Sequence, residues 1–93
     1  MELGSRPRRG EHVVWRRGED GLVLLNPLDG TYFTLDDTGG RIWELCDGER
    51  SVADIAVALG GEYDAAVPEI ESDALELVSG LEQEGLLAGS DRP

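Results

Sequence analysis

Lysine is absent from the sequence, and the eight basic residues, all arginine, are outnumbered by 20 acidic residues. The formal net charge is −12. Residues 1–17 hold five of the arginines and two acids, whereas residues 18–93 hold three arginines and 18 acids. Nucleic acids and anionic membranes attract basic surfaces. The acidic body therefore argues against both and favours cationic or neutral partners.

Cysteine is almost absent as well, and long apolar runs are missing. Cys46 is the only cysteine, so no internal disulfide can form and the fold must rest on its hydrophobic core. No stretch approaches the ~20 apolar residues of a membrane span, and the N-terminus lacks the apolar run of a secretory signal. We therefore expect a cytoplasmic protein, and 93 residues suffice for one small domain.

Groups that carry chemistry are equally scarce. One cysteine and one histidine, Cys46 and His12, cannot supply the four ligands of a structural zinc site. A nucleophile needs a base within hydrogen-bond reach, and Cys46 lies on the apolar face of a predicted helix, where a small buried side chain is expected. Gly39-Gly40 and Gly60-Gly61 lack the spacing of phosphate-binding loops. We expect no catalytic residue, no metal and no cofactor.

Composition divides the chain into three parts. Residues 1–11 contain glycine, proline, serine and arginine without periodicity, which predicts a flexible basic arm. Residues 12–88 show regular hydrophobic patterns and form the predicted domain. Residues 89–93 are predicted to be a disordered tail.

Three short strands are predicted within the first part of the domain. His12–Arg16 is rich in strand-forming residues, Leu22–Leu25 is a continuous apolar run, and Thr31–Leu35 alternates aromatic, β-branched and aliphatic residues. A polar turn separates the first two strands. Pro27–Gly30 has the composition of a four-residue hairpin loop. Two successive hairpins predict an antiparallel meander.

The hydrophobic period becomes helical after Leu35. The first predicted helix is capped near Asp36 and ends at Gly48, the second runs from Ser51 to Gly60-Gly61, and the third runs from Pro68 to Glu84. The apolar stripe of the third helix consists of Ile70, Ala74, Leu77, Val78 and Leu81. The predicted fold class is α+β, with three strands followed by three helices, the layout of a winged helix-turn-helix domain.

An ordered set of short segments resembles a known family. Residues 43–55 (WELCDGERSVADI) are similar to the middle of PqqD proteins, the small peptide chaperones of pyrroloquinoline quinone biosynthesis. The other matching segments are Leu25-Asn26-Pro27, Gly30-Thr31-Tyr32, Leu35, Thr38-Gly39, Tyr63-Asp64, Glu69-Ile70-Glu71 with Asp73, and Gly85-Leu86-Leu87. The resemblance covers residues 12–88.

The resemblance implies a RiPP recognition element, a winged helix-turn-helix domain that binds peptide. Such a domain captures the leader of a ribosomally made precursor peptide and presents it to a modifying enzyme, either a radical SAM protein or a lasso-type leader peptidase. The leader adds as a strand to the third strand of the sheet, in a groove walled by the third helix. Residues 26–34 resemble the wider family more than its quinone-pathway members, so the pathway stays open.

The candidate peptide-binding residues follow from this geometry and from the helical pattern. They are Thr31, Tyr32, Phe33, Thr34, Leu35, Asp73, Leu75, Leu77, Gly80 and Glu84. Leu75 lies off the apolar stripe, as a groove anchor or as a peripheral core residue. Gly80 either makes room for a bulky leader side chain or permits close helix packing.

The sequence does not determine which residues of the third strand face its free edge. If Phe33 faces outward, Phe33→Pro is expected to abolish leader binding and spare the helices, because proline has no backbone N–H. If Phe33 bonds to the second strand, the same change damages the fold. Tyr32→Pro or Thr34→Pro then becomes the change that affects binding selectively.

Two other functions use the same elements. The free strand edge allows two copies to pair across a two-fold axis, as a homotypic interaction module. A winged helix-turn-helix protein can also bind DNA, but the third helix would then carry its acids into the major groove, where phosphates repel them. Those acids are Glu69, Glu71, Asp73, Glu76, Glu82 and Glu84.

Overall fold

The computed structural model describes residues 1–88 and confirms three antiparallel strands followed by three helices, an α+β winged helix-turn-helix fold. The predicted tail, residues 89–93, lies outside the described residues. The elements are β1 (Val14–Gly18), β2 (Gly21–Asn26), β3 (Thr31–Leu35), α1 (Asp37–Leu45), α2 (Val52–Tyr63) and α3 (Val67–Gln83). None of the helices within residues 1–88 is long and apolar enough to cross a membrane.

The strands form one sheet in the order β1-β2-β3, so β2 is central and β1 and β3 are the edges. Leu24 pairs with Trp15 on β1 and with Phe33 on β3, which fixes the register. β1 begins two residues later than predicted and extends to Gly18. Gly21 opens β2 with a φ of 138°, and the carbonyl oxygen of Leu35 approaches it so closely that a side chain would collide with it.

One face of the sheet packs on the helices. Leu22 and Leu24 are fully buried on that face, whereas every residue of β1 is exposed. Trp43 of α1 is the largest fully buried side chain, and its ring meets that of Trp15 edge to face with centroids 6.2 Å apart. The core is therefore centred between β2 and the three helices.

α1 and α2 begin at the residues from which the sequence predicts them to start. Asp36 caps α1, because its Oδ1 accepts a hydrogen bond from the Gly39 N–H at 2.7 Å. Ser51 and Asp54 form a complete capping box at the start of α2, with both hydrogen bonds at 3.0 Å. These caps satisfy amides that have no partner within the helix.

The prediction that α2 stops at Gly60-Gly61 is wrong. The helix continues to Tyr63 and ends at Asp64, which adopts a left-handed conformation with φ of 54°. A Cβ at Gly60 would lie 2.9 Å from the Cγ2 of Val67. Gly60 therefore permits the close approach of α3 instead of ending α2, and tertiary packing outweighs its low helix propensity.

The prediction of a flexible arm over residues 1–11 is also wrong. Pro7 is fully buried, the carbonyl of Ser5 accepts a hydrogen bond from the Val52 N–H at 2.9 Å, and the Gly10 N–H donates to the Leu86 carbonyl at 2.9 Å. The segment thus supplies partners for backbone groups at the start of α2 and in the residues that follow α3. The arginines of this segment made it look like an exposed arm, so its packing could not be recognised in the sequence.

Arg9 shows what the arm contributes. Its guanidinium donates to the carbonyl oxygens of Trp43 at 3.2 Å and Glu44 at 2.5 Å, at the end of α1. It also lies 5.6 Å from the centre of the Trp15 ring. A cation at a helix C-terminus is stabilised by the helix dipole and satisfies carbonyls that lack partners.

We expect Arg9→Ala to lower the free energy of unfolding by about 1–2 kcal/mol, because it removes charged hydrogen bonds at the C-terminus of α1. Arg16→Ala is the matched control, since Arg16 is exposed on β1 and the same charge is lost. The control is expected to change stability by less than about 0.5 kcal/mol. Urea unfolding followed by tryptophan fluorescence measures both, and equal effects would show that the arm does not stabilise the fold.

Candidate functional site

β3 carries an unpaired edge, and the structure determines which residues face it. The carbonyl oxygen of Leu35 points toward β2, where it meets Gly21. Backbone groups of successive residues in a strand point to opposite edges. Thr31, Phe33 and Leu35 therefore bond to β2, while the N–H and C=O groups of Tyr32 and Thr34 face outward.

The same alternation defines the other edge of the sheet. Leu22, Leu24 and Asn26 bond to β3, so the intervening residues of β2 bond to β1. It follows that Trp15 and Arg17 face the free edge of β1. The two edges thus offer the same number of outward-facing residues, and what differs is their surroundings.

A groove of about 660 Å³ runs along β3 and between β3 and α3. The first turns of α1 form its third side. The residues that line it are Phe33, Thr34, Leu35, Asp36, Thr38, Gly39, Ile42, Asp73, Glu76, Leu77, Gly80, Leu81, Gln83 and Glu84. The described residues that include parts of β1 line two much smaller depressions, of about 290 Å³ each. The larger groove therefore belongs to β3.

The structure brings most of the predicted peptide-binding residues together. From α3, Asp73, Leu77, Gly80 and Glu84 line the groove, as do residues 33–35 from β3. These α3 positions lie on one stripe, because their spacings of four, three and four residues match the helical period.

Three predicted residues lie elsewhere. Leu75 is half-buried and packs against the core, so of the two readings left open by the sequence the structure favours the peripheral core residue. Thr31 lies beside the hairpin loop, where its N–H donates to Asp29 at 3.1 Å. Tyr32 projects from the outer face of the sheet with 70% of its surface exposed. Thr31 and Tyr32 remain part of the strand edge without lining the groove.

The α1 side of the groove is missing from the prediction. From the sequence, Asp36 is predicted only to cap α1, and Thr38, Gly39 and Ile42 have no predicted role in peptide binding. A Cβ at Gly39 would lie 3.4 Å from the Cβ of Leu35 and 3.6 Å from Cδ2 of Leu77. Gly39 therefore lies between β3 and α3, the two elements on either side of the groove. The only sequence signal was that a capping residue follows β3 directly.

The groove is apolar at its base and acidic at its rim. Phe33, Leu35 and Leu77 are half-buried and expose apolar surface to it. Four carboxylates line it as well: Asp36, Asp73, Glu76 and Glu84. Among the described residues that line it there is no arginine. The arrangement suits an extended ligand with apolar side chains and no excess of negative charge.

Arg41, in the middle of α1, forms ion pairs outside the groove. Its guanidinium donates to the two carboxylate oxygens of Glu62 at 2.9 and 2.8 Å and to Glu44 at 3.3 Å. The hydrogen bonds to Glu62 raise the pKa of Arg41 above its usual value. The arginine thus ties α1 to α2 and does not neutralise the groove.

The family model for coenzyme PQQ synthesis protein D (PqqD) matches residues 21–87. The chain belongs to the PqqD family. A relative described as "PqqA binding protein" from Xanthomonas axonopodis pv. citri is 40% identical over 85 residues, which cover 89% of this chain and 90% of the relative. Its counterpart from Xanthomonas oryzae pv. oryzae is 38% identical over 80 residues, or 86% of this chain and 85% of the relative.

Solved structures agree with the family and the fold. The PqqD truncation of Methylobacterium extorquens PqqCD, described as a functional stand-alone RiPP recognition element, is 37% identical, with a TM-score of 0.78 and 95% coverage of both chains. TbiB1 in complex with the TbiA(beta) leader peptide is 34% identical, with a TM-score of 0.77 over 88% of this chain and 95% of that one. A lasso peptide synthetase B1 bound to its leader peptide matches at 28% identity and a TM-score of 0.78, over 90% of this chain and 99% of that one.

The single cysteine and the single histidine of this PqqD-family chain lie outside the groove. Cys46 is fully buried, and its thiol donates to the Ile42 carbonyl at 3.2 Å. His12 donates from Nε2 to the Gly85 carbonyl at 3.0 Å. Within residues 1–88 no group of three or more histidine, cysteine, aspartate or glutamate residues is placed to hold a metal ion.

We expect Cys46 to be inert in the folded protein. Burial raises the pKa of its thiol to about 12, while the nearby Arg9 lowers the pKa in part, so the reactive thiolate is scarce at neutral pH. A disulfide reagent such as DTNB should label the native chain more than about tenfold slower than the urea-unfolded chain. Labelling at the unfolded rate would contradict the burial of Cys46.

Proposed function

We propose that this chain binds the leader segment of a ribosomally made precursor peptide as a fourth strand on β3. It then presents the precursor to the modifying enzyme of the same pathway and contributes no bond-making chemistry itself. The carrying observation is the outward-facing backbone of Tyr32 and Thr34 beside the groove. The names of the relatives, which bind PqqA or leader peptides, support the same proposal.

The energetics require both parts of the site. Tyr32 and Thr34 offer four backbone groups, and each hydrogen bond contributes a net ~0.5–1.5 kcal/mol. Together they give roughly 2–6 kcal/mol, which reaches only the lower end of the 4–15 kcal/mol or more that is lost when two molecules associate. Strand pairing alone is therefore too weak.

The groove supplies the remainder. An apolar leader side chain that becomes fully buried against Phe33, Leu35 and Leu77 contributes about 1.5–3 kcal/mol. Two such side chains, spaced two residues apart so that both face the groove, add about 3–6 kcal/mol to the binding free energy. Exposed carboxylates such as Asp73 and Glu84 contribute at most ~1 kcal/mol with a basic leader residue.

The partner enzyme and the pathway form the second half of the proposal. The relatives include PqqA-binding proteins and lasso peptide synthetase components. Following what the family resemblance implies, we propose a radical SAM protein or a leader peptidase as the partner enzyme. Both act on a precursor whose leader is held in place while the remaining part of the peptide reaches the enzyme.

We expect Thr34→Pro to abolish leader binding and leave the fold intact. The Thr34 N–H faces the free edge, so proline removes a bond to the leader and none to β2. Phe33 before it is already in an extended strand, which proline requires of its neighbour. The measurement is fluorescence anisotropy with labelled PqqA, and with peptides selected from a displayed random library, alongside circular dichroism.

Two variants serve as controls for this experiment. Arg17→Pro places proline at the equivalent position on the edge of β1 and is expected to leave peptide affinity within about threefold. Phe33→Pro removes a bond to β2 and is expected to lower the stability of the fold. Loss of binding in Arg17→Pro but not in Thr34→Pro would place the peptide on the edge of β1 and contradict the proposal. Unchanged binding in both variants would exclude strand addition to this sheet.

A second copy of this chain is the competing ligand for the same edge. Each copy carries a net charge of −12, so pairing of two copies brings strongly like charges together. Sedimentation at increasing protein concentration shows whether the chain dimerises or stays a monomer that binds peptide. A chain that dimerises through β3 and binds no peptide would overturn the proposal.

A further inference from the structure

Gly80 is an unusual residue for its position. It lies within α3, in the right-handed helical conformation, and it lines the groove. A Cβ built on it would meet no heavy atom within 4 Å. Glycine is the poorest helix former apart from proline, so an alanine here is expected to stabilise α3 at no steric cost.

Packing within the protein does not explain this glycine. At Gly60 a Cβ would meet Val67 at 2.9 Å, which accounts for a glycine there, but Gly80 has no such neighbour. The sequence left two roles open for Gly80, room for a leader side chain and close packing of α3. No contact in the structure supports close packing. The space at Gly80 belongs to the groove.

We propose that Gly80 is a specificity-determining residue that reserves space for one bulky apolar side chain of the leader. The apolar character follows from Phe33, Leu35 and Leu77, which line the groove with Gly80. The leader residues on either side of this one point away from the groove, because side chains alternate along a strand. The inference rests on the proposed leader binding and specifies which leader residue is read.

Gly61 provides a matched control. It is an exposed glycine in α2, it is also helical, and a Cβ on it would likewise meet nothing within 4 Å. It does not line the groove. Alanine at either position is expected to raise the urea midpoint, whereas only changes at Gly80 are expected to alter peptide binding.

The test uses a displayed library of random peptides, selected separately against the unsubstituted chain, Gly80→Leu and Gly61→Leu. The unsubstituted chain and Gly61→Leu should enrich the same bulky apolar residue at one position. Gly80→Leu should enrich a small residue there, and should bind the originally selected peptides about tenfold or more weakly. Gly80→Ala, with a smaller side chain, should show a weaker loss in the same direction and carries the test if circular dichroism shows that Gly80→Leu is misfolded.

The outcomes separate this inference from the proposed function. If the selected peptides depend on Thr34, as judged by Thr34→Pro, but bind Gly80→Leu and Gly80→Ala within about threefold, leader binding stands and the role of Gly80 is overturned. If no selected peptide depends on Thr34, the proposed function fails first. A common preference in all three selections would also overturn the role of Gly80.

Discussion

The register of β2 is the constraint on which the rest of the structure depends. Leu22 and Leu24 must both enter the core, and a shift of one residue would turn them to solvent. Because β2 is central, its register also fixes β3, and through β3 the choice of Tyr32 and Thr34 as the outward-facing residues. Burial of two leucines thus determines which backbone groups are left for a ligand.

The two edges of this sheet differ in what lies beside them. β1 is exposed on both faces and is held near the core by Trp15 and by Arg9 from the N-terminal segment. β3 is placed next to α3 and the start of α1, which leave a groove between them. An added strand on β3 can therefore bury side chains, whereas one on β1 would gain mainly backbone hydrogen bonds.

Local sequence patterns predicted the elements well, because each element has a hydrophobic pattern of its own and α1 and α2 also have side-chain caps. The alternation of residues 31–35, the capping box from Ser51 and the apolar stripe of α3 all depend on neighbours within one element. The failures have another origin. The packing of Pro7 and the role of Gly60 depend on contacts between distant parts of the chain.

The candidate site shows the same division. The third strand and the stripe from Asp73 to Glu84 could be predicted, since strand edges and helical faces are local properties. The α1 side of the groove could not, because nothing in the residues near Gly39 reveals that Leu35 and Leu77 lie against it. That the backbone groups of Thr34 face the free edge could also not be predicted from the sequence, because it follows from the pairing of β3 with β2.

Amide hydrogen exchange, read residue by residue by NMR with and without a bound leader peptide, tests strand addition most directly. If the leader adds as a strand to β3, the amides of Tyr32 and Thr34 exchange rapidly in the free protein and become protected on binding, while those of Phe33 and Leu35 are protected in both states. Protection that appears instead at Trp15 and Arg17, or nowhere along β3, would contradict strand addition to β3.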